Sequence, residues 1–106
     1  MVIELVELRI RPELTDESFL EAAEVASSLL RELRGFCARR LAKAADGLWI
    51  DYVEWESMEL ALEAARRFNS DPRASVFNSM IAPGSVTMRH FTVAHTADRL
   101  AEQPQR

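Results

Sequence analysis

The sequence predicts an α+β domain with its elements in the order β-α-β-β-α-β, and three observations lead to that prediction. Both tryptophans and the only tyrosine fall in one alternating stretch, residues 47–55. An apolar stripe at helical spacing precedes this stretch, and an alanine-rich helical segment follows it. Alternating apolar segments also lie near both ends of the chain. Such an order favours one antiparallel sheet with the first and third strands central and both helices on one face.

The first strand is predicted over Val2–Ile10, and Pro12 ends it because proline cannot donate to a β-ladder. Thr15 then offers a capping oxygen for the first helix. The apolar residues of that helix recur at intervals of three and four: Phe19, Ala22, Ala23, Ala26, Leu29, Leu30 and Leu33. Gly35 is predicted to end the helix as its C′ residue.

The second strand is predicted over Phe36–Ala44, and the turn at 45–47 leads into the third strand, which ends at Trp55. Trp49, Asp51, Val53 and Trp55 share one face of that strand, while Leu48, Ile50, Tyr52 and Glu54 share the other. Both faces are substantially apolar. We therefore expect each face to be covered.

The second helix is predicted to begin after Ser57 and to break near Asp71, which caps a fresh turn that starts with Pro72. Pro83 and Gly84 stop that turn. The fourth strand is predicted over Ser85–His95. Residues 1–96 then form one ferredoxin-like domain, and 97–106 form a polar C-terminal tail.

Composition excludes several classes of protein. The chain has 106 residues, 48 % of them hydrophobic and 28 % charged, and a net charge of −4, which argues against nucleic acid as a partner. The single Cys37 allows neither an intrachain disulfide nor a cysteine-rich metal site. An acidic N-terminal segment and the absence of a long apolar run predict a cytoplasmic protein without a membrane span. No spacing typical of a metal or cofactor site is present.

The helices can cover only one face of the sheet. Six apolar residues are predicted on the face that they leave open: Val6, Leu8, Ile10, Ile50, Tyr52 and Met88. That much apolar surface is unfavourable on a monomer. A homodimer with the two sheets face to face, and a cavity between them, is the expected arrangement.

With these elements in place, the chain resembles the dimeric α/β-barrel superfamily, in particular the antibiotic biosynthesis monooxygenase domain. Segments 3–12, 34–41, 46–57 and 86–91 carry the resemblance. It implies a homodimer that binds a small aromatic or apolar molecule. It also implies, for an enzyme, cofactor-independent oxygenation of a phenol.

Haem-degrading members of the superfamily carry an asparagine on the first strand and a tryptophan and a histidine in the second helical region. The corresponding positions here are Leu8, about Ala64, and 76–78, and no histidine lies between Trp55 and Met88. The sequence therefore argues against haem degradation.

His90 is the candidate base, because it lies in mid-strand and a histidine can act as a general base or hydrogen-bond a phenol. Glu4 lies on the first strand, which neighbours the fourth in this fold, so the two side chains can meet and act together. The structural alternatives are a neutral core histidine and an ion pair of Glu4 with Arg40 or Arg89.

Residues predicted to contact a substrate are Tyr52, Trp49, Leu8, Met88, Asp51 and Arg40. Asp51 lies on an apolar face and needs a partner, for which Arg40 or Arg39 is available. Trp49 and Tyr52 point to opposite faces, so at most one of them lines the cavity.

Two functions fit the sequence. One is a monooxygenase of phenolic substrates, with His90 as the base and Glu4 in support. The other is a non-catalytic dimeric ligand-binding or stress-response protein that uses the same cavity. RNA binding on the sheet is disfavoured because the chain is acidic and lacks a basic-glycine-aromatic strand.

Overall fold

The computed structural model describes residues 1–99 as a four-stranded antiparallel sheet with three helices on one face. The elements are β1 (Val2–Leu8), α1 (Asp16–Leu30), β2 (Phe36–Lys43), β3 (Trp49–Trp55), α2 (Met58–Ser70), α3 (Pro72–Ser79) and β4 (Thr87–Thr92). The strand order is β2-β3-β1-β4, so the predicted ferredoxin-like α+β fold is confirmed. Of the predicted tail 97–106, residues 100–106 lie outside the described part of the chain. None of the described helices has the length and apolar character to cross a membrane.

The first and fourth strands are shorter than predicted, and the backbone pairing at their ends is as follows. After Leu8 the chain leaves β3 and pairs instead with the segment before β4, where the Ala82 N–H donates to the Arg9 carbonyl at 2.8 Å. At the other end, the Val93 N–H donates to the Met1 carbonyl at 2.9 Å.

The helices begin where capping residues predict. The hydroxyl of Thr15 accepts from the Ser18 N–H at 3.1 Å, and the Ser57 hydroxyl accepts from the Leu60 N–H at 3.2 Å. The carboxylate of Asp71 accepts from the N–H of residue 73 at 2.8 Å. Each bond satisfies a backbone donor that the first helical turn leaves free.

Gly35 does not end α1. The helix stops at Leu30, and a turn at 31–34 separates it from Gly35. Gly35 instead adopts a φ of +84° at the entrance to β2, where the chain passes close to α2. The prediction of a C′ glycine was wrong because the chain leaves the helix one turn earlier than the apolar stripe suggests.

The core lies between the helices and the face of the sheet that carries the alternate buried residues of β3. Near one end, Phe19 stacks on Phe77 at 4.9 Å and meets the edge of Trp49 at 5.1 Å between ring centroids. Near the other end of the core, Val53 and Trp55 pack against leucines and alanines of the helices. These contacts fix which face of the sheet is the helix side.

The register corrects the predicted distribution of apolar residues over the two faces. Val6 pairs with Asp51 and with Met88, and Leu8 pairs with Trp49, so Val6, Leu8 and Met88 lie on the helix side. Ile10 also packs against the core on that side. Directly paired residues of neighbouring strands share a face, and the prediction placed these four on the wrong one.

The helix-free face is nevertheless apolar. By register and alternation it carries Ile3, Leu5, Ile50, Tyr52 and Phe91. The first four are half-buried in the single chain and Phe91 is 37 % exposed. Two residues predicted for this face, Ile50 and Tyr52, do lie on it.

Candidate functional site

A cavity of about 380 Å³ lies between the helix side of the sheet and the helices of the same chain. Val6, Leu8, Val53 and Trp55 form much of its floor, and Phe68 of α2 and Phe77 of α3 face them. Its volume falls in the range of small-molecule sites, about 300–1,000 Å³. The cavity is open and mostly apolar, and it lies inside one domain.

Local sequence explains why this space stays open. Ala64 and Ala65 of α2 line the cavity, and their short side chains cannot fill the gap above the sheet. Within residues 1–99 no helix packs closely against the outer strand, β4, and the lining residues Val86, just before it, and Met88, within it, remain 48 % and 53 % exposed. The cavity therefore opens toward solvent past β4.

One acidic group of the wall is Glu4, which meets His90 from the neighbouring strand. The two residues are directly paired between β1 and β4, and Glu4 Oε2 lies 3.2 Å from His90 Nε2. Both side chains are mostly buried, with 15 % and 19 % exposed. Burial raises the pKa of Glu4 above its ordinary value of 4.5, while His90 acts in the opposite direction. In this apolar wall Glu4 is therefore a weaker acid than an ordinary glutamate.

His90 itself does not line the cavity; Glu4 does. The contact that strand order predicts between the two residues is present, but their positions are the reverse of the predicted ones. Of the two residues, only the glutamate contributes to the cavity wall.

The second acidic group of the wall is Asp51, and it is bound by Arg39. Arg39 donates from Nε and Nη2 to the two carboxylate oxygens at 2.9 and 2.7 Å. Its Nη1 donates to the Ala23 carbonyl at 3.1 Å and the Ser27 hydroxyl at 2.9 Å. Only 7 % of the Arg39 side chain and 11 % of the Asp51 side chain are exposed. Through these four hydrogen bonds, Arg39 connects α1 to the sheet.

Arg40, one of the two arginines predicted as the partner of Asp51, lies on the helix-free face. It is 73 % exposed, and its nearest acidic oxygen belongs to Glu54 at 3.9 Å. The cause is a bulge between Phe36 and Ala38, which shifts the register of β2 by one residue. An extra residue in one strand turns every following side chain to the opposite face, so Arg39 replaces Arg40 beside Asp51.

The predicted substrate-binding residues separate into two groups. Leu8, Asp51 and Met88 line the cavity, whereas Trp49, Tyr52 and Arg40 do not. Trp49 is on the helix side but packs under Phe19, and Tyr52 is on the helix-free face, where its hydroxyl donates to Glu54 at 2.9 Å.

Several lining residues were not predicted: Arg39, Trp55, Phe68, Asn69, Phe77 and Asn78. Trp55 shares its parity with Asp51, so alternation along β3 contained a signal for it. The helical residues had no such signal, because their place depends on how the helices dock. Within residues 1–99, no group of three or more His, Cys, Asp or Glu side chains is arranged to hold a metal ion.

No protein-family model and no curated protein matches the sequence. Solved structures do match the fold. SnoaB, a cofactor-independent oxygenase from Streptomyces nogalater, gives a TM-score of 0.67 at 15 % identity over 90 % of this chain and 94 % of that one. A candidate antibiotic biosynthesis monooxygenase from Bordetella bronchiseptica gives 0.75 at 13 % identity, over 89 % and 97 % of the two chains.

A third match is the ActVA-Orf6 monooxygenase of Streptomyces coelicolor, solved with nanaomycin D. It gives a TM-score of 0.64 at 19 % identity, over 91 % of this chain and 89 % of that one. Identities this low establish the fold alone. The chain has the fold of antibiotic biosynthesis monooxygenase-like proteins, as its sequence predicts.

Proposed function

We propose that the chain binds a small aromatic molecule in the cavity between its sheet and its own helices and oxygenates it without a cofactor. The observation that carries this proposal is the contact of Glu4 with His90 at the wall of an otherwise apolar chamber. An apolar ring fits such a lining, and one buried carboxylate offers a proton acceptor for a ring hydroxyl. Oxygenases among the proteins of similar fold support the choice of reaction.

In the proposed reaction Glu4 takes the proton of the bound phenol. The aryloxide is electron-rich and reacts with dioxygen at a ring carbon. For naphthol the balance is naphthol plus O₂ giving naphthoquinone plus water, so the substrate itself supplies all four electrons. His90, bonded to the far side of the carboxylate, positions Glu4 and stabilises its charge.

The ion pair of Arg39 and Asp51 has a different part in this scheme. Asp51 is bound through both oxygens, which leaves Glu4 as the lining carboxylate that is free of an arginine. The negative charge of Asp51 also raises the pKa of Glu4. Two carboxylates in one wall thus have separate roles because their partners differ.

Glu4→Gln should reduce naphthol-dependent oxygen consumption by about a hundredfold or more, the usual contribution of a general base. Naphthol should still bind, since the amide keeps the size of the side chain. In the unmodified protein kcat/KM should fall with decreasing pH as Glu4 becomes protonated, at a pH above the ordinary glutamate value because burial raises its pKa.

Glu7→Gln is the matched control, because Glu7 lies on the same strand but is exposed. It should leave both turnover and the acid limb unchanged. Full activity in Glu4→Gln would remove Glu4 from the reaction.

The second candidate function is a ligand-binding protein that catalyses nothing. The observation that favours it is the position of His90 outside the cavity wall, which leaves the site with fewer acid–base groups than the sequence predicts. Recovery of bound naphthol unchanged under oxygen, with normal affinity, would select this function.

We also propose that the chain forms a homodimer through its helix-free face. Leu5→Lys introduces a charge at the centre of that apolar face and should convert a dimer into a monomer at micromolar concentration in sedimentation velocity. Leu62→Lys on α2 is the control, since Leu62 is already 47 % exposed on the helical layer, and it should leave the dimer intact. A monomer in the unmodified protein would contradict this proposal.

A further inference from the structure

The charged residues of the cavity wall contain more acid than base. Among the described residues that line the cavity, only three have ionisable side chains: Glu4, Asp51 and Arg39. The two asparagines of the wall, Asn69 and Asn78, are neutral. The wall therefore contains two carboxyl groups and one cation.

The cation, Arg39, is already matched within the protein. Two of its hydrogen bonds go to the carboxylate of Asp51, and two more go to the Ala23 carbonyl and the Ser27 hydroxyl on α1. The ring of Phe77 lies against the guanidinium, with 4.9 Å between Cζ and the ring centroid. A ligand anion would therefore have to displace Asp51 in order to pair with Arg39.

Glu4 is the acid of the wall that has no arginine beside it. Its partner is His90, which lies at 3.2 Å but does not line the cavity. When a bound phenol transfers its proton to Glu4, one negative charge moves from the wall to the ligand, and the total charge of the site is unchanged. A ligand that also carries a carboxylate brings an additional negative charge into this apolar space.

We propose that the cavity accepts neutral phenols and rejects aromatic acids, because the one cation of its described wall, Arg39, is held by Asp51. The inference rests on the proposed function, since it assumes that a ring hydroxyl binds beside Glu4. It defines the substrate class by charge. A carboxylate that leaves water needs a partner of opposite charge, and repulsion from a nearby acid is stronger in an apolar site than in water.

The test compares 3-hydroxybenzamide with 3-hydroxybenzoate. The two compounds share the ring and the hydroxyl and have nearly the same shape, but they differ by one negative charge at neutral pH. Methyl signals of the lining residues Val6, Leu8 and Val53 report binding inside the cavity in NMR titrations. We expect the amide to bind about tenfold more tightly than the acid, or better.

Asp51→Asn tests the cause of the selectivity, because it releases the charge of Arg39 within the cavity wall. Binding of the acid should then tighten about tenfold, while binding of the amide changes little. Glu7→Gln is the matched control: it removes the same charge from an exposed position and should keep the ratio of affinities found in the unmodified protein.

Equal affinities in the unmodified protein, or no binding of the amide, would overturn the inference, while turnover of naphthol would still support the proposed function. An unchanged ratio in folded Asp51→Asn would overturn it as well. Failure of naphthol itself to bind would overturn both. The comparison in the unmodified protein decides the question even if Asp51→Asn does not fold.

Discussion

Arg39→Met should lower the free energy of unfolding by about 3–5 kcal/mol, the usual effect of removing one partner from a buried ion pair. The methionine keeps the apolar stem but leaves Asp51 charged and unpaired under the helices. It also removes the hydrogen bonds to Ala23 and Ser27, which connect α1 to β2. Chemical denaturation monitored by tryptophan fluorescence measures the change.

Arg40→Met is the matched control from the adjacent position. Arg40 is 73 % exposed, and its nearest acidic oxygen is as far away as 3.9 Å. Loss of such a weak surface ion pair should change the free energy of unfolding by less than about 1 kcal/mol. Adding Asp51→Asn to Arg39→Met should recover part of the loss, because no unpaired charge then remains in the core. Similar effects of Arg39→Met and Arg40→Met would contradict the buried position of Arg39.

Gly35→Ala should be the second severe change, with a loss of about 2–5 kcal/mol from backbone strain and overpacking together. Gly35 has a φ of +84°, and a Cβ there would lie 2.7 Å from Leu60 Cδ1 and 2.8 Å from Leu60 Cβ. Rotation of the Leu60 side chain relieves only the first contact. The second requires α2 to move away from the start of β2, and the denaturation midpoint should fall accordingly.

Gly84→Ala separates the two causes. Gly84 has nearly the same φ, +78°, but nothing lies within 4 Å of the position that its Cβ would take. Its substitution should cost only the conformational part, about 1–2 kcal/mol. An equal loss at both glycines would show that α2 does not press on Gly35.

The order and type of the elements could be predicted because local signals determine them. Capping by Thr15, Ser57 and Asp71 and the break at Pro72 all appear in the structure as the sequence indicates. Local signals could not decide which face of the sheet the helices cover. Both faces of β3 are apolar. The alternation of residues along a strand does not show which of the two faces the apolar stripe of α1 packs against.

Two features of the site illustrate the same limit. The contact between Glu4 and His90 could be predicted, since it needs only the strand order and the parity of each residue. For the partner of Asp51 the sequence could only offer Arg40 or Arg39, because a single bulge between Phe36 and Ala38 exchanges the faces of these two arginines. A bulge of one residue has no strong sequence signal, yet it decides which arginine enters the core.

The central claim is that the ligand site lies between the sheet and its own helices, and methyl NMR during a naphthol titration tests it most directly. Neighbouring residues of the same strands report on opposite faces: Val6, Leu8 and Val53 on the helix side, and Ile3, Leu5 and Ile50 on the helix-free side. We expect saturable shifts of the first three signals and almost none of the second three. Shifts confined to Ile3, Leu5 and Ile50 would place the ligand on the other face and contradict the account.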